Sequence, residues 1–178
     1  PFVGTLLILI SRRPAARWLC VAASAISLLF CLFSMKSCWM NGMEGATTPL
    51  LHFGSVTVFG FTVDRVSSLL ATAFVGIGML VTVYATAYLD EGNKEHPDKH
   101  RKRFYAVFCA FIGAMAGVVF SSTILGQLVF FEITGACSWA LIGYYNTPAS
   151  QKAAMKALVI THLASLGLYC ATAVLFMQ

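Results

Sequence analysis

The sequence predicts an all-α integral membrane protein of about six transmembrane helices, the first truncated, with a short extracytoplasmic loop or hairpin. Three observations carry that prediction. Of the 178 residues, 58% are hydrophobic and only 11% charged, and the mean hydropathy is +0.79. Apolar runs of spanning length recur along the chain between short polar segments. The basic residues gather in alternate segments between those runs.

The first run, Phe2–Ile10, is too short to span and has no initiator Met before it, so it reads as the surviving end of a helix. A secretory signal fits less well, because no charged n-region or cleavage pattern is visible. Trp18–Met35, Val66–Leu89, Phe104–Phe120 and Ile124–Tyr144 follow, and Ala157–Met177 closes the chain. The last run ends where the sequence ends, without a polar tail, so a fragment of a larger membrane protein is expected. A division at residue 65 separates N-terminal helices and loop (1–65) from the later helices (66–178).

Orientation follows from the bases. Arg12, Arg13 and Arg17 follow the first run; Lys94, Lys99, Arg101, Lys102 and Arg103 follow the third; Lys152 and Lys156 follow the fifth. Only Lys36 and Arg65 fall on the other side, so the odd-to-even connections are assigned to the cytoplasm and the chain begins outside. The net charge of +5 needs no nucleic acid to explain it, since basic loops beside anionic lipid account for it.

Between the second and third helices, 36–62 is long and weakly charged, and SVTVFGFTVD alternates Val56, Val58 and Phe61 with smaller residues. It reads as a strand or hairpin, with Gly54 and Gly60 at turns or bulges, or as irregular loop. Asp64 and Arg65 mark the start of the third helix. The segment 90–103 reads as a solvated connector. His96 and His100 have helical metal-ligand spacing, but Pro97 between them opposes a regular helix.

The six cysteines contain no C-x-x-C pair and mostly sit within apolar runs, so they read as small hydrophobes and the chain itself is expected to carry no metal or electron-transfer centre. No phosphate-binding glycine loop and no nucleophile–base motif is present.

Glu132 is the most informative residue. It lies in the otherwise uncharged run Ile124–Tyr144, about 3 Å from the midpoint of a roughly 30 Å span. An ionised side chain at that depth costs roughly 2.5–3.5 kcal/mol on insertion scales, so it is expected to face protein or a water-filled path and to work as a titrating group. Leu128, Gly135, Ala136, Trp139 and Gly143 share its face, and the small ones among them permit close approach of a neighbour. A purely structural carboxylate is the alternative. His162, with Ser165 at i+3, reads either as a hydrogen-bonded bundle histidine or as a relay member. Thr161 and Ser165 either line the same face or bond their own backbone. Lys156 reads as a positive-inside anchor at the end of the last helix.

From Phe61 to Gln178 the text resembles a known family. VDRVSSLL, YATAYL, RFYAVFCAFIGAMAG, GQLVFFEITGACSWALIGYY and AAMKALVITHLASLGLY are similar to the antiporter-like membrane subunits shared by respiratory complex I, Mrp cation antiporters and membrane-bound hydrogenases. FIGAMAGVVFSSTILGQLVFFEITGACSWALIGYY is most similar to the hydrogenase 4 branch, in its D-type membrane component. The first 55 or so residues resemble the family only in layout.

The resemblance implies a fold of about fourteen helices with two inverted repeats of five, of which this chain holds the leading helices and the first three of one repeat. It implies that Glu132 occupies the position of a fifth-helix acid that gates proton movement with a seventh-helix lysine lying beyond Gln178. It gives Lys156 a position where relatives also carry lysine, and puts His162 and Ser165 where complex I relatives carry arginine and aspartate. Glu132, Lys156 and His162 are thus the expected proton-translocation residues.

The expected function is that of a multi-pass subunit in the cytoplasmic (inner) membrane, moving protons, or Na⁺, driven by electron transfer in partner subunits. The partners implied are hydrogenase and other membrane subunits, with nickel–iron and iron–sulfur centres held there and no cofactor here. A non-pumping anchor and a stand-alone cation/proton antiporter are the alternatives.

Overall fold

The computed structural model describes residues 1–11, 13–40, 45–53, 56–89 and 101–176. In chain order these form α1 (Phe2–Ile10), α2 (Arg13–Met40), β1 (Ala46–Phe53), β2 (Val56–Val63), α3 (Arg65–Tyr88), α4 (Arg101–Phe120), α5 (Ile124–Ile142) and α6 (Pro148–Phe176). Five helices are long and apolar enough to cross a membrane, beginning at Ala15, Arg65, Arg101, Ile124 and Pro148. With α1 they match the six apolar runs, and the chain is a multi-pass, all-helical membrane protein carrying one hairpin.

Several boundaries move: the second helix starts at Arg13 rather than Trp18 and the fourth at Arg101 rather than Phe104. The second helix continues to Met40 and takes in Lys36, whose exposed side chain can carry its charge toward the interface while the apolar residues around it extend the helix. The last helix starts at Pro148 rather than Ala157. Thr147 and Ser150 cap it reciprocally, Ser150 N donating to Thr147 Oγ1 at 3.2 Å and Thr147 N to Ser150 Oγ at 3.0 Å, and Pro148 takes the first helical position, where a missing N–H costs nothing. Lys152 and Lys156 therefore lie on the helix and not in a loop. His96 and His100, and Gly54, lie outside the described residues.

The hairpin is real, and it has a partner strand that alternation did not reveal. β1 (ATTPLLHF) pairs antiparallel with β2 from Ala46 opposite Val63 to Phe53 opposite Val56, with irregularities between Pro49 and Leu51 and between Leu51 and His52. Pro49 has no N–H for the ladder and belongs at such a break. Gly60 supplies close approach instead of a turn. A Cβ there would lie 2.6 Å from Ser122 Oγ and 3.2 Å from the Thr48 carbonyl.

Helix contacts place the connections at opposite ends. At one end, Lys102 Nζ donates to the Leu9 carbonyl at 2.7 Å, and Tyr105, near the start of α4, feels Arg17 and Tyr144. At the other, the hairpin grips the α4–α5 turn: Ser122 N donates to Gly60 O at 2.9 Å, Thr123 Oγ1 to Val58 O at 3.0 Å, and Phe61 bridges Ser121. The bases mark the first end, which the charge rule assigns to the cytoplasm.

The core is built from small side chains. Ile8, Ala16, Cys20, Ala85, Leu89, Tyr105, Ala106 and Cys109 form one buried cluster, and Cys31, Ala71, Val75, Phe108 and Ile112 another. Five of the six thiols are buried and all are free. Large apolar side chains such as Phe33, Ile77 and Leu80 point outward, as suits helices whose outer surface meets lipid.

Candidate functional site

Thr123 starts α5: in extended conformation, it accepts from Gly126 N while its hydroxyl donates to the hairpin. The helix thus begins at a point fixed to β2. At its far end Asn146, at φ 53°, reverses the chain into the Thr147 cap, so α5 and α6 run antiparallel side by side. The expected small face is the contact face. A Cβ on Gly143 would lie 3.6 Å from Ala154 Cβ, and one on Gly135 3.8 Å from Thr161 Oγ1.

That pairing brings two predicted residues together. Glu132 has eight α5 residues before it and ten after; His162 is the central residue of α6, with fourteen on each side. His162 Nε2 lies 2.8 Å from Glu132 Oε2. Ser165 Oγ donates to Glu132 Oε1 at 3.1 Å and is 3.0 Å from the His162 carbonyl. The Glu132 side chain is 24% exposed and that of His162 47%.

The hydrogen bonds determine the protonation logic. His162 Nδ1 is 3.0 Å from the Leu158 carbonyl. A carbonyl only accepts, so Nδ1 carries a hydrogen; this tautomer follows from the partner. Nε2 and Oε2 then share one proton. On the ring it gives an imidazolium–carboxylate pair, and on the carboxyl a neutral acid–imidazole pair. If that proton leaves, two lone pairs face each other at 2.8 Å, and the contact must open.

Sequence reasoning named Glu132 and His162 but not their contact. The available signal was spacing: His162 and Ser165, at i and i+3, fall on one face of a helix, and both reach the acid. Thr161 bonds its own backbone, at 3.1 Å to Ala157 O and 2.9 Å to Leu158 O, whereas Ser165 bonds both backbone and acid. Lys156 is exposed, six residues or about 9 Å along the helix from His162, and is not brought to the acid. On the Glu132 face, Trp139 Nε1 is buried without a hydrogen-bond partner. Among the described residues no three His, Cys, Asp or Glu side chains gather in a way that could hold a metal ion.

Known proteins are similar to this chain in two separate stretches. Residues 121–178 match the transmembrane region of the NADH:quinone oxidoreductase/Mrp antiporter family, and residues 51–105 match the N-terminus of chain 5 of NADH-ubiquinone oxidoreductase (complex I). The NAD(P)H-quinone oxidoreductase chain 5 of Picosynechococcus sp. is 35% identical over 121 residues, covering 64% of this chain and 17% of the relative. The chloroplastic NAD(P)H-quinone oxidoreductase subunits 5 of Pentatrichia integra and Symphyotrichum cordifolium are each 32% identical over 111 residues, covering 62% of this chain and 14% of theirs. The chain thus spans less than a fifth of the length of these relatives. Taken together, the two matches and the relatives support the antiporter-like family of complex I and Mrp membrane subunits for this chain.

Proposed function

We propose that the chain is part of a membrane subunit, in the cytoplasmic (inner) membrane, that couples electron transfer in partner subunits to proton translocation through Glu132. One observation carries the reading: a carboxylate and an imidazole, each at or beside the centre of its own spanning helix, lie 2.8 Å apart, close enough to pass a proton. Ionisable groups at that depth are costly, and they mark ion paths and proton relays. The electrons move elsewhere, in subunits that hold the redox centres.

The proton is favoured over Na⁺ by what surrounds the acid. A hard cation needs a shell of acceptor oxygens. Here an imidazole nitrogen occupies one carboxylate oxygen and a serine hydroxyl donates to the other.

The finer reading is a hydrogenase-type arm with nickel–iron and iron–sulfur centres in the partners. It rests on the resemblance of residues 111–145 and on His162 and Ser165 standing where complex I relatives carry arginine and aspartate. Lys156, exposed and apart from the acid, enters the path only through groups that pack on the outer side of α6.

The test uses the full-length subunit in its complex, reconstituted in vesicles, with ΔpH followed during turnover for wild type and Glu132→Gln. Loss of ΔpH while the redox partners still reduce an artificial acceptor is expected. Unchanged ΔpH makes the carboxylate structural and the subunit an anchor. Transport by the isolated full-length subunit, without redox partners, would make it a stand-alone antiporter.

A further inference from the structure

Of the 12 Lys and Arg residues, only Lys36 and Arg65 depart from the charge rule and lie at the extracytoplasmic end. The helix pairing brings these two exceptions to one groove. α2 and α3 pack antiparallel: a Cβ on Gly76 would lie 3.7 Å from Leu28 Cδ1, and Cys31, Ala71 and Val75 share a buried cluster. Lys36 follows Leu28 by as many residues as Ser68 precedes Gly76, so Lys36 and Ser68 are level. Arg65 is level with Trp39, about 5 Å further toward the hairpin end.

Periodicity turns both bases to the same side of the pairing. Leu28, Leu32 and Lys36 form an i, i+4 row of α2 with Trp39 beside it, and Arg65, Leu69 and Gly76 share a face of α3. Leu28 and Gly76 are the touching members of the two rows, so the rows flank one groove. Its walls are open, with Leu32 40%, Leu69 50% and Trp39 61% exposed. Lys36 and Arg65 are exposed as well, and neither side chain pairs with another described residue. Asp64, the acid beside Arg65, is engaged in the α3 cap, accepting from Ser67 N at 2.6 Å.

We propose that this groove binds an anionic glycerophospholipid of the extracytoplasmic leaflet, with Lys36 and Arg65 on its headgroup phosphate and an acyl chain along Leu32, Leu69 and Gly76. The inference is independent of the role of Glu132. Height favours a lipid: the 28 residues of α2 extend over about 42 Å, more than the roughly 30 Å of hydrocarbon, so its last turns reach the headgroup layer. Exposed Trp39 at the same level suits that interface. Charge favours it too, because an apolar partner laid over the groove would bury two cations without compensation, whereas lipid phosphates already lie at this depth. The arginine fork can hold two phosphate oxygens at once, and lysine adds a point charge beside them. Below the bases only apolar side chains and the Gly76 backbone line the walls, which is the order of a phospholipid from head to tail.

The experiment places the full-length subunit, in its complex, in phosphatidylcholine nanodiscs containing a photo-crosslinkable phosphatidylglycerol as the minority lipid. Attachment is mapped by peptide mass spectrometry for wild type, Lys36→Gln, Arg65→Gln, the double variant and Lys36→Arg, with complex abundance measured alongside. Wild type should carry label in residues 32–39 and 65–76, displaced by unlabelled phosphatidylglycerol and not by phosphatidylcholine. Labelling should fall roughly 5-fold for each charge removed and about 30-fold in the double variant, from the attraction each base near an anionic surface contributes, and Lys36→Arg should keep it. Equal labelling of wild type and the double variant, or equal displacement by phosphatidylcholine, overturns the site, since the contact is then ordinary lipid solvation. Absence of label in the wild-type groove also overturns it and gives the face to a neighbouring subunit. Should the double variant fail to assemble, Lys36→Gln against Lys36→Arg decides, and equal labelling of those two overturns the proposal.

Discussion

Glu132 and His162 come from two helices joined by a tight turn, and they meet at 2.8 Å near the middle of each helix. Neither residue explains the other's position in the sequence, thirty residues away. The helix pairing does, because small residues on α5 let α6 approach closely enough for a carboxylate and an imidazole to touch.

Replacing His162 separates ion pairing from proton exchange. His162→Arg keeps a permanent cation beside Glu132, so the complex should assemble normally, yet ΔpH formation should fall at least about 10-fold because arginine does not release its proton in proteins. His162→Gln should also lose translocation. Wild-type ΔpH in His162→Arg vesicles would show that the imidazole's proton is not used.

Ser165→Ala removes one donor to the acid. A hydrogen bond to a charged group contributes about 1.5–3 kcal/mol where the group is shielded from solvent, and less at the partial exposure of this site. A modest fall in translocation, two- to five-fold, is expected, with thermal stability of the detergent-solubilised complex lowered by no more than a few degrees. A loss as complete as that of Glu132→Gln would make Ser165 an obligatory part of the path.

Phe130 wedges α5 against its neighbours. Its ring packs near Phe2, Phe59 and Phe61, with centroids 6.1, 5.6 and 6.2 Å away, and a Cβ on Gly117 would lie 2.5 Å from it. Gly117→Ala should therefore destabilise by about 1–3 kcal/mol through overpacking. Adding Phe130→Leu should recover part of the loss. Melting curves of the single and double variants decide it, and additive losses would rule out the contact as the cause.

Asp64 sets the pH dependence of the hairpin–α3 junction. Its carboxylate accepts from Ser67 N at 2.6 Å while Ser67 Oγ accepts from Asp64 N at 2.9 Å, and these bonds hold the carboxyl below the usual aspartate range. A folded-state value lowered in this way stabilises above the ordinary aspartate pKa, and the stabilisation disappears as pH falls through the folded value. Asp64→Ala should cost about 1 kcal/mol at neutral pH. The gap from wild type should narrow on acidification, and a gap constant across the acid range would assign the cost to something other than the charged cap.

Much of the fold was legible before any coordinates. Spanning helices must satisfy their own backbone and present apolar side chains to lipid, so the six runs matched six helices. Boundaries moved where a local rule outweighed hydropathy, as at the Thr147–Ser150 cap and at Lys36, whose long side chain lets a helix pass through a charge. β1 was hidden because Pro49 and the adjoining irregularity break the alternation that marks a strand.

The site divides in the same way. Residue order alone puts an acid near the middle of α5 and a histidine in α6, because depth along a helix is a count of residues at fixed rise. It took the packing of the helices to bring the two side chains within 2.8 Å, to add the Ser165 hydroxyl to the acid, and to leave Lys156 apart. Those facts depend on the rotation and height of one helix against another, which follow from where Gly135 and Gly143 let α6 settle. No single helix's periodicity contains them.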